Sequence, residues 1–563
     1  MSLLPRIAGA GRGRGIALVA VLAFGQAAAA GLAAFATRDV FVAFRSQAPD
    51  LPIEALVAIA LAGIAIALLR VGERVVAEKV GQAYAAALRL KLFDHLTKLS
   101  AREVAGRRNG ALAMRFVGDL AAVRGWVSLG IARWISAAIV LPLATGVLFL
   151  LNPTLGYAAG LPILLGLVAM LLAGPRLGPA HRRLRSRRAR LAADMSERIP
   201  HAPELRLLGR IKTEETLLRR RTAALVDSAL ERARGAALLR AIPDAVSGLA
   251  AASVLTMALR GAASPAEAAG ALAAVGLIIQ PLRDLAGVWD KHRAWVAARE
   301  KCVTLLSLPP LVPSVPAAGA PLDPEAAKGP QVLTFQDVTA GRLRGLDAQA
   351  LPGQKIAIVG GNGAGKSTLL SLAAGLEVPE AGRVSLGGHD PSLLSSSERR
   401  RMIALVGTRS PILAGSLRRA LTMGSAPQPD DAQVLDQAKA FGLEAVIERL
   451  GGLDGRIAEG GRNLSAGEGR RILLTRAALS QAWLLLLDEP DDALDVGGPA
   501  LVEQLVRQRA TTTVMITHSL ALARRMDQLW YLEAGRIVES GPPEALLAGG
   551  GPTARFFAPR RAA

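Results

Sequence analysis

Apolar residues are spaced in two different ways along this chain. Up to about residue 306 they form long uninterrupted runs separated by polar stretches of helical periodicity, whereas from Gln331 short apolar runs alternate with amphipathic segments. The first long run, Ile16 to Ala36, carries no charge; it follows Arg6, Arg12 and Arg14 and precedes the first acid, Asp39. Further runs fall at about 52–69, 135–151, 154–173, 242–259 and 266–282. Each is close to the roughly 17–25 residues that cross about 30 Å of hydrocarbon. The last two are the weakest, with Asp244 and Glu267 near their starts. A basic start plus an apolar run also fits a secretory signal peptide, but this run is long for one and five more follow it. The pattern predicts six transmembrane helices, which return the chain to the side where it began.

The polar stretches between these runs are unequal. Those at 37–51, 152–153 and 260–265 are short, while 70–134 and 174–241 are long. In Ala85 to Leu96 apolar residues recur at three- and four-residue spacing, the mark of a helix. The helices that begin near 52 and 154 are therefore expected to run far out of the membrane, turn and come back. Gly110 to Arg124 and about 195–221 are the expected turns. His95 in the first arm has no second ligand nearby and reads as a surface residue. After the sixth run a polar helix reaches about Leu306, followed by Pro309-Pro310-Leu311-Val312-Pro313 through Pro330, a semi-extended linker. The expected division is a membrane domain over 1–308, a linker over 309–330, an α/β domain over 331–555 and a tail over 556–563.

Composition sharpens this picture. Hydrophobic residues make up 51% of the chain and mean hydropathy is +0.34, high for a soluble protein, so the long runs are read as membrane spans. The formal charge of +21 fits either a nucleic-acid partner or basic loops on the cytoplasmic face of a membrane. Its distribution decides. The short loops carry only Arg38, Arg45 and Arg260, whereas 174–241 holds 17 lysines and arginines, seven of them arginines between Arg176 and Arg190. The positive-inside rule then places both long segments, and both chain termini, in the cytoplasm. No zinc-finger or RNA-reading aromatic motif is present, and nucleic acid is not an expected partner. The lipid bilayer is, since polybasic juxtamembrane segments attract anionic headgroups. The lone cysteine, Cys302, forms no internal disulfide and belongs to no zinc pattern; it reads as a small buried residue.

The second half carries the chemistry. Lys355 to Val359 reads as a buried parallel strand and Leu369 to Ala374 as the start of a helix. Between them lies Gly360-Gly361-Asn362-Gly363-Ala364-Gly365-Lys366-Ser367-Thr368, with the spacing GxxxxGKS of a phosphate-binding loop. Glycines let backbone N–H groups turn inward around phosphate oxygens, and the helix N-terminus adds partial positive charge. Lys366 is expected at the β- and γ-phosphates and Ser367 on Mg²⁺. Farther on, Trp483 to Leu487 reads as a second buried strand, ending in Asp488-Glu489-Pro490. Carboxylates at the C-terminal end of a parallel strand face the ligand crevice. Asp488 is the expected Mg²⁺ partner and Glu489 the group that polarises the attacking water.

Leu464-Ser465-Ala466-Gly467-Glu468, followed by Arg470 and Arg471, resembles the LSGGQ signature of ATP-binding cassette proteins. Ala493-Leu494-Asp495 is similar to that family's D-loop and Thr517-His518 to its switch histidine. The first half resembles the membrane domain of exporter-type members in Arg89 to Leu99, Gly110 to Asp119 and Pro281-Leu282. The resemblance implies a membrane all-α six-helix domain followed by an α/β P-loop NTPase (ABC ATPase) domain. It implies a half-transporter that works as a dimer with itself or a homologous subunit, using ATP and Mg²⁺ to export a solute across the bacterial inner membrane. Each ATP would lie between the phosphate loop of one subunit and Ser465 and Gly467 of the other, with His518 near the γ-phosphate. A membrane-bound ATPase that regulates or assembles a partner without moving solute is the alternative.

Three departures from the family pattern stand out. No aromatic occurs between Phe335 and the phosphate loop, where family members stack one on adenine; plain loss of the stacking contact is the expectation, with Arg342 or Arg344 stacking by its guanidinium plane as the alternative. Thr408 takes the place of a glutamine that touches Mg²⁺. The signature has Ala466 and Glu468 for Gly and Gln, adding a methyl and a negative charge beside phosphate. With Lys366, Asp488, Glu489 and His518 intact, these changes fit a hydrolytic half-site completed by a different subunit, with an asymmetric pair of ATP sites, and equally a symmetric homodimer, the commonest oligomer.

Overall fold

The computed structural model describes residues 3–47, 50–106, 112, 115–311, 329–408, 410–495, 497–508 and 510–558. They form two compact units. The first comprises Met1–Thr97 and Arg107–Leu308, the second Lys98–Gly106 and Pro309–Ala563.

The first unit is helical. Its helices are α1 (Arg12–Arg45), α2 (Ile53–Thr97), α3 (Arg115–Leu151), α4 (Pro153–Ala173), α5 (Gly178–Arg198), α6 (Ile211–Leu259) and α7 (Pro265–Leu306). Six of these, all but α5, are long and apolar enough to cross a membrane. Small residues let them approach closely: a Cβ on Gly166 of α4 would lie 2.1 Å from Val246 of α6. The buried seam runs through Leu148, Leu155, Ala159, Val254, Ala271 and Ile278, while Leu61, Ile64 and Leu68 of α2 face outward, as a lipid-exposed helix requires.

The two weak spans are explained by their acids. Glu267 is the third residue of α7 and accepts the Ser264 N–H at 2.7 Å, while the Ser264 hydroxyl accepts the Glu267 N–H at 3.2 Å, a reciprocal cap. Asp244 is neutralised by Arg283 at 2.5 Å. At 45 residues, α2 is about 67 Å long and extends well beyond a bilayer core. The second arm is not one rod, because a 3₁₀ turn at Gly174–Leu177 separates α4 from α5.

The expected turns also shift. Residues 110–111 and 113–114 of the Gly110 to Arg124 stretch lie outside the described residues, and from Arg115 the chain is already helical, α3 opening with two π-helical segments. The second turn is narrower than 195–221, running from Ile199 to Arg210 around a short helix, Ala202–Leu207. Buried ion pairs hold the arms. The Asp119 carboxylate, 4% exposed, meets Arg185 of α5 at 2.6 Å and Lys301 of α7 at 3.3 Å. Asp290 accepts from His181 at 2.6 Å and Arg232 at 2.7 Å. Cys302 is fully buried, and burial pushes its thiol up to about 11.

The second unit holds eleven strands among the described residues: β1 (Leu333–Ala340), β2 (Leu343–Ala350), β3 (Lys355–Val359), β4 (Ala381–Leu386), β5 (Ile403–Val406), β6 (Gly415–Ser416), β7 (Arg456–Ile457), β8 (Leu484–Asp488), β9 (Thr512–Ile516), β10 (Gln528–Glu533) and β11 (Arg536–Gly541). The main sheet has the order β11-β10-β3-β9-β8-β5, with every pair parallel except β10–β11. Four of the five residues in β3, four of the five in β8 and all five in β9 are buried, which is why they read as unbroken apolar runs. A smaller antiparallel sheet, β2-β1-β4, packs its apolar face with the helix Lys366–Ala373 (α8) into one core. The helix Ala466–Leu479 (α9) lies on the opposite side, in a core with Leu485, Leu487 and Met515.

Candidate functional site: a phosphate-loop cavity

The parallel strands end at one edge of the main sheet, and the expected site residues gather there. Gly360 follows β3 with φ 143°, and a Cβ there would lie 2.1 Å from the Leu532 carbonyl, so only glycine lets the loop leave the strand against β10. Gly363 and Gly365 also have positive φ, and Gly365 is the N-cap of α8. A cavity of about 470 Å³ is lined by Asn362, Gly363, Gly365, Lys366, Ser367, Thr368 and Glu489, together with Arg102, Gly341 and Arg342. Gly360, Gly361 and Ala364 complete the loop behind it. The Lys366 ammonium, 7% exposed, donates to the carbonyls of Gly360 at 2.6 Å and Gly361 at 3.1 Å. Burial lowers its pKa, partly offset by the carboxylates of Glu489 and Asp488.

Asp488 ends β8 and accepts a hydrogen bond from the Ser367 hydroxyl. Burial raises its pKa, and the neighbouring Glu489 adds to the rise. A carboxylate raised this way beside a hydroxyl is short of positive charge, and the pair fits a hard divalent cation of oxygen preference. Glu489 sits at φ 49°, fixed by its N–H on the Ile516 carbonyl at 3.0 Å. That unusual backbone aims the side chain across the β8–β9 gap, where Oε1 lies 3.2 Å from His518 Nε2. The His518 ring in turn lies 5.7 Å from that of Phe556. Phe556 belongs to a helix, Pro552–Phe557, so the segment expected as tail begins inside folded structure.

Ser465 and Gly467 are not among the residues lining this cavity. They lie at the start of α9, where Ser465, Ala466, Gly461 and Ala493 line a separate opening that Thr408 also borders. Thr408 additionally shares a cavity with Ser367, Thr368 and Asp488. The Glu468 side chain does not project as a free charge. One carboxylate oxygen accepts the Ser465 N–H at 2.8 Å and the other accepts from Arg449 at 2.7 Å, which together hold its pKa down. The added repulsion expected at this signature is thus answered within the same subunit.

Of the two arginines expected to stack in place of an aromatic, Arg344 turns to the Gly341 and Leu343 carbonyls at 2.8 and 3.1 Å. Arg342 donates to the Gly363 carbonyl at 2.8 Å and does line the cavity. Arg102 lines it too and escaped the sequence reading, because it lies far from every motif that flags nucleotide chemistry.

Comparison with known proteins points the same way. Residues 343–492 match a family model described as "ABC transporter", and residues 15–277 match "ABC transporter transmembrane region". The mycobactin import ATP-binding/permease protein of Mycolicibacterium smegmatis is 30% identical over 447 residues, covering 75% of this chain and 74% of that protein. Its counterpart in Mycolicibacterium thermoresistibile is 35% identical over 303 residues, or 52% of this chain; the chain spans about half, 51%, of that relative's length. Among solved structures, a bacterial Atm1-family ABC exporter with ATP bound superposes with a TM-score of 0.82 over 98% of each chain at 23% identity.

Proposed function

Because the chain belongs to the ATP-binding cassette (ABC) transporter family, we propose that it is a half-transporter that hydrolyses ATP to export a solute across the inner membrane. The observation that carries the ATPase half of this reading is the joint placement of Lys366, the Ser367–Asp488 contact and the Glu489–His518 pair on one sheet edge. Lys366 exchanges its loop carbonyls for phosphate oxygens, and the backbone N–H groups after Gly361 cradle the rest of the chain of phosphates. Ser367 and Asp488, with Thr408 beside them, would hold Mg²⁺, which would supply charge neutralisation on the phosphates when bound. Glu489 orients water and draws off its proton, and His518 fixes the carboxylate and faces the γ-phosphate.

The same geometry supports a dimer. Ser465 and Ala466 line an opening apart from their own phosphate loop, and Gly467 follows them at the start of α9, which supports a nucleotide site closed by the signature of a second cassette. The tie of Glu468 to Arg449 supports self-pairing, since a neutralised carboxylate does not oppose a partner's phosphates. The charge asymmetry of the loops supports a cytoplasmic cassette and cytoplasmic termini.

The membrane unit supports a polar cargo. A cavity of about 560 Å³ between α1, α2, α3 and α7 brings together Gln26 and Gln280, the polar residues of the spans. There Glu73 accepts from Gln26 at 2.5 Å and Ser136 at 3.5 Å, Arg133 pairs with Asp284 at 3.3 Å, and Arg70 and Arg74 join the lining. The Ser128 hydroxyl, 2% exposed, lines it without a partner. These ionisable groups gather where α2 leaves its apolar run, and the set suits a charged solute better than an acyl chain. The deciding experiment is ATP-dependent uptake into sealed inverted vesicles compared with right-side-out ones. Uptake confined to inverted vesicles supports export. Hydrolysis with no uptake of any charged or apolar solute panel member supports the regulatory alternative.

A further inference from the structure

We propose that Arg102 is a nucleotide-binding residue that packs its guanidinium plane on the purine base, in the place of the aromatic this chain lacks. The inference rests on the nucleotide-site reading and adds to it a residue from outside the cassette sequence. Arg102 belongs to a short segment, Lys98–Gly106, that follows α2 by a few residues in sequence and folds with the second unit. The segment is anchored there by backbone hydrogen bonds, Ala101 N–H to the Leu376 carbonyl at 3.0 Å and Leu311 N–H to the Lys98 carbonyl at 2.6 Å.

Three observations converge on the side chain. The first is its place. Gly341 is the residue after β1, in the stretch between Phe335 and the phosphate loop that holds no aromatic, and a Cβ built on it would lie 2.5 Å from Arg102 Nη2. The guanidinium therefore occupies the space that a side chain at 341 would take, and an aromatic there could not coexist with it. The second is its support. Glu377 holds Arg102 at 3.3 Å and Glu380 at 3.1 Å, and the same Glu380 oxygen accepts the Gly341 N–H at 3.0 Å. Two carboxylates thus fix the plane against the loop that carries the vacancy. The third is its exposure. Arg102 keeps half of its side-chain surface open and lines the cavity of Lys366 and Ser367, while its two terminal nitrogens are held by Glu380 and Glu377. Lys366 and Ser367 take the phosphates, which leaves the wall made by Arg102, Gly341 and Arg342 to the nucleoside. A planar guanidinium stacks on an aromatic ring where an ammonium does not.

Removing this contact should weaken base binding by about tenfold, the scale of a partly desolvated cation–π or stacking contact. The test measures binding of Mg-ATP and of Mg-tripolyphosphate, which has no base, to the detergent-purified full chain. Arg102→Ala should lose about tenfold in ATP affinity and keep tripolyphosphate affinity within about twofold, which also certifies that the phosphate loop is folded. Arg102→Trp should recover ATP affinity and Arg102→Lys should not. ATP affinity unchanged in Arg102→Ala, equal loss of both ligands, or full recovery by lysine would each overturn the assignment. Wild-type chain that binds neither ligand would instead refute the nucleotide site itself, so the two failures are distinguishable.

Discussion

Glu489→Gln is the perturbation that bears most directly on the chemistry. The substitution leaves the local structure in place. Gln also lacks a reason to leave φ 49°, because that backbone is held by the Glu489 N–H on the Ile516 carbonyl and the strain of about 1–2 kcal/mol is the same for either side chain. The amide can still meet His518 Nε2 across the 3.2 Å contact. What disappears is the negative charge and the capacity to accept a proton. A positioned general base is worth about 10²–10⁴ in rate, or about 2.7–5.5 kcal/mol of barrier. ATP affinity should hold or improve, since one of the two carboxylates facing the triphosphate near Lys366 is removed. His518→Ala removes only a hydrogen bond to a charged group, about 2 kcal/mol or some thirtyfold in turnover. In the double variant the losses should not add, because His518 acts through the carboxylate that is already gone. Phosphate release under saturating Mg-ATP, paired with equilibrium nucleotide binding, reads both quantities. Turnover in Glu489→Gln within about threefold of wild type, or strictly additive losses in the double variant, would refute the assignment of Glu489 as the base and His518 as its support.

The remaining expectations concern charge. The Asp488 pKa is raised above the ordinary carboxylate value by burial, so deprotonation through that raised pKa costs the folded state stability as pH rises. Without Mg-ATP, Asp488→Asn should therefore raise the melting temperature more at neutral pH than at a pH below the ordinary aspartate value, while abolishing Mg²⁺-dependent hydrolysis; a thermal-shift series from that acid limit to neutrality checks the sign. Arg449→Ala releases the Glu468 carboxylate at the signature and should raise the ATP concentration for half-maximal hydrolysis about fivefold, with stability little changed because the pair is half exposed, and Glu468→Gln should restore it. Asp119→Ala removes the shared partner of Arg185 and Lys301, which stay partly solvated, and should cost about 1 kcal/mol, read as a lower melting temperature of the detergent-purified chain.

Much of this was legible in the residues, for physical reasons that differ from place to place. The phosphate loop and Asp488 declare themselves because the strand, the tight turn and the helix start are contiguous, and GxxxxGKS leaves few other conformations. The two spans weakened by acids had their explanation in view: Ser264-Pro265-Ala266-Glu267 is a capping box, so Glu267 marks where α7 begins and not an interruption of it. The same S-x-x-E spacing in Ser465 to Glu468 foretells a carboxylate folded back on its own helix, but its Arg449 partner comes from the end of another helix and was not deducible. The first turn was expected to reach Arg124, whereas tertiary packing of Leu120 and Val123 keeps the part from Arg115 helical. Arg102 was out of reach, since its contacts with Glu377 and Glu380 join residues more than 270 positions apart.

The departures of this cassette from its family share one physical remedy. Where the aromatic is missing, the space beside Gly341 is filled by Arg102; where the signature gains a carboxylate, Arg449 neutralises it; and Arg342 buttresses the phosphate loop through the Gly363 carbonyl. The excess of arginine that membrane topology explains in the first half has a second use in the other. Guanidinium groups keep their charge at every physiological pH and bond in a fixed plane, so each can replace either a flat ring or a missing counter-charge. Such remedies are long-range. If they work as argued, exchanging Ala466 and Glu468 for the family's Gly and Gln should change turnover by less than about threefold, whereas the loss of Arg102 or Arg449 with the native signature should cost more. A strong gain from restoring the signature alone would mean that the arginines do not compensate, and that the second nucleotide site of the dimer must come from a different subunit.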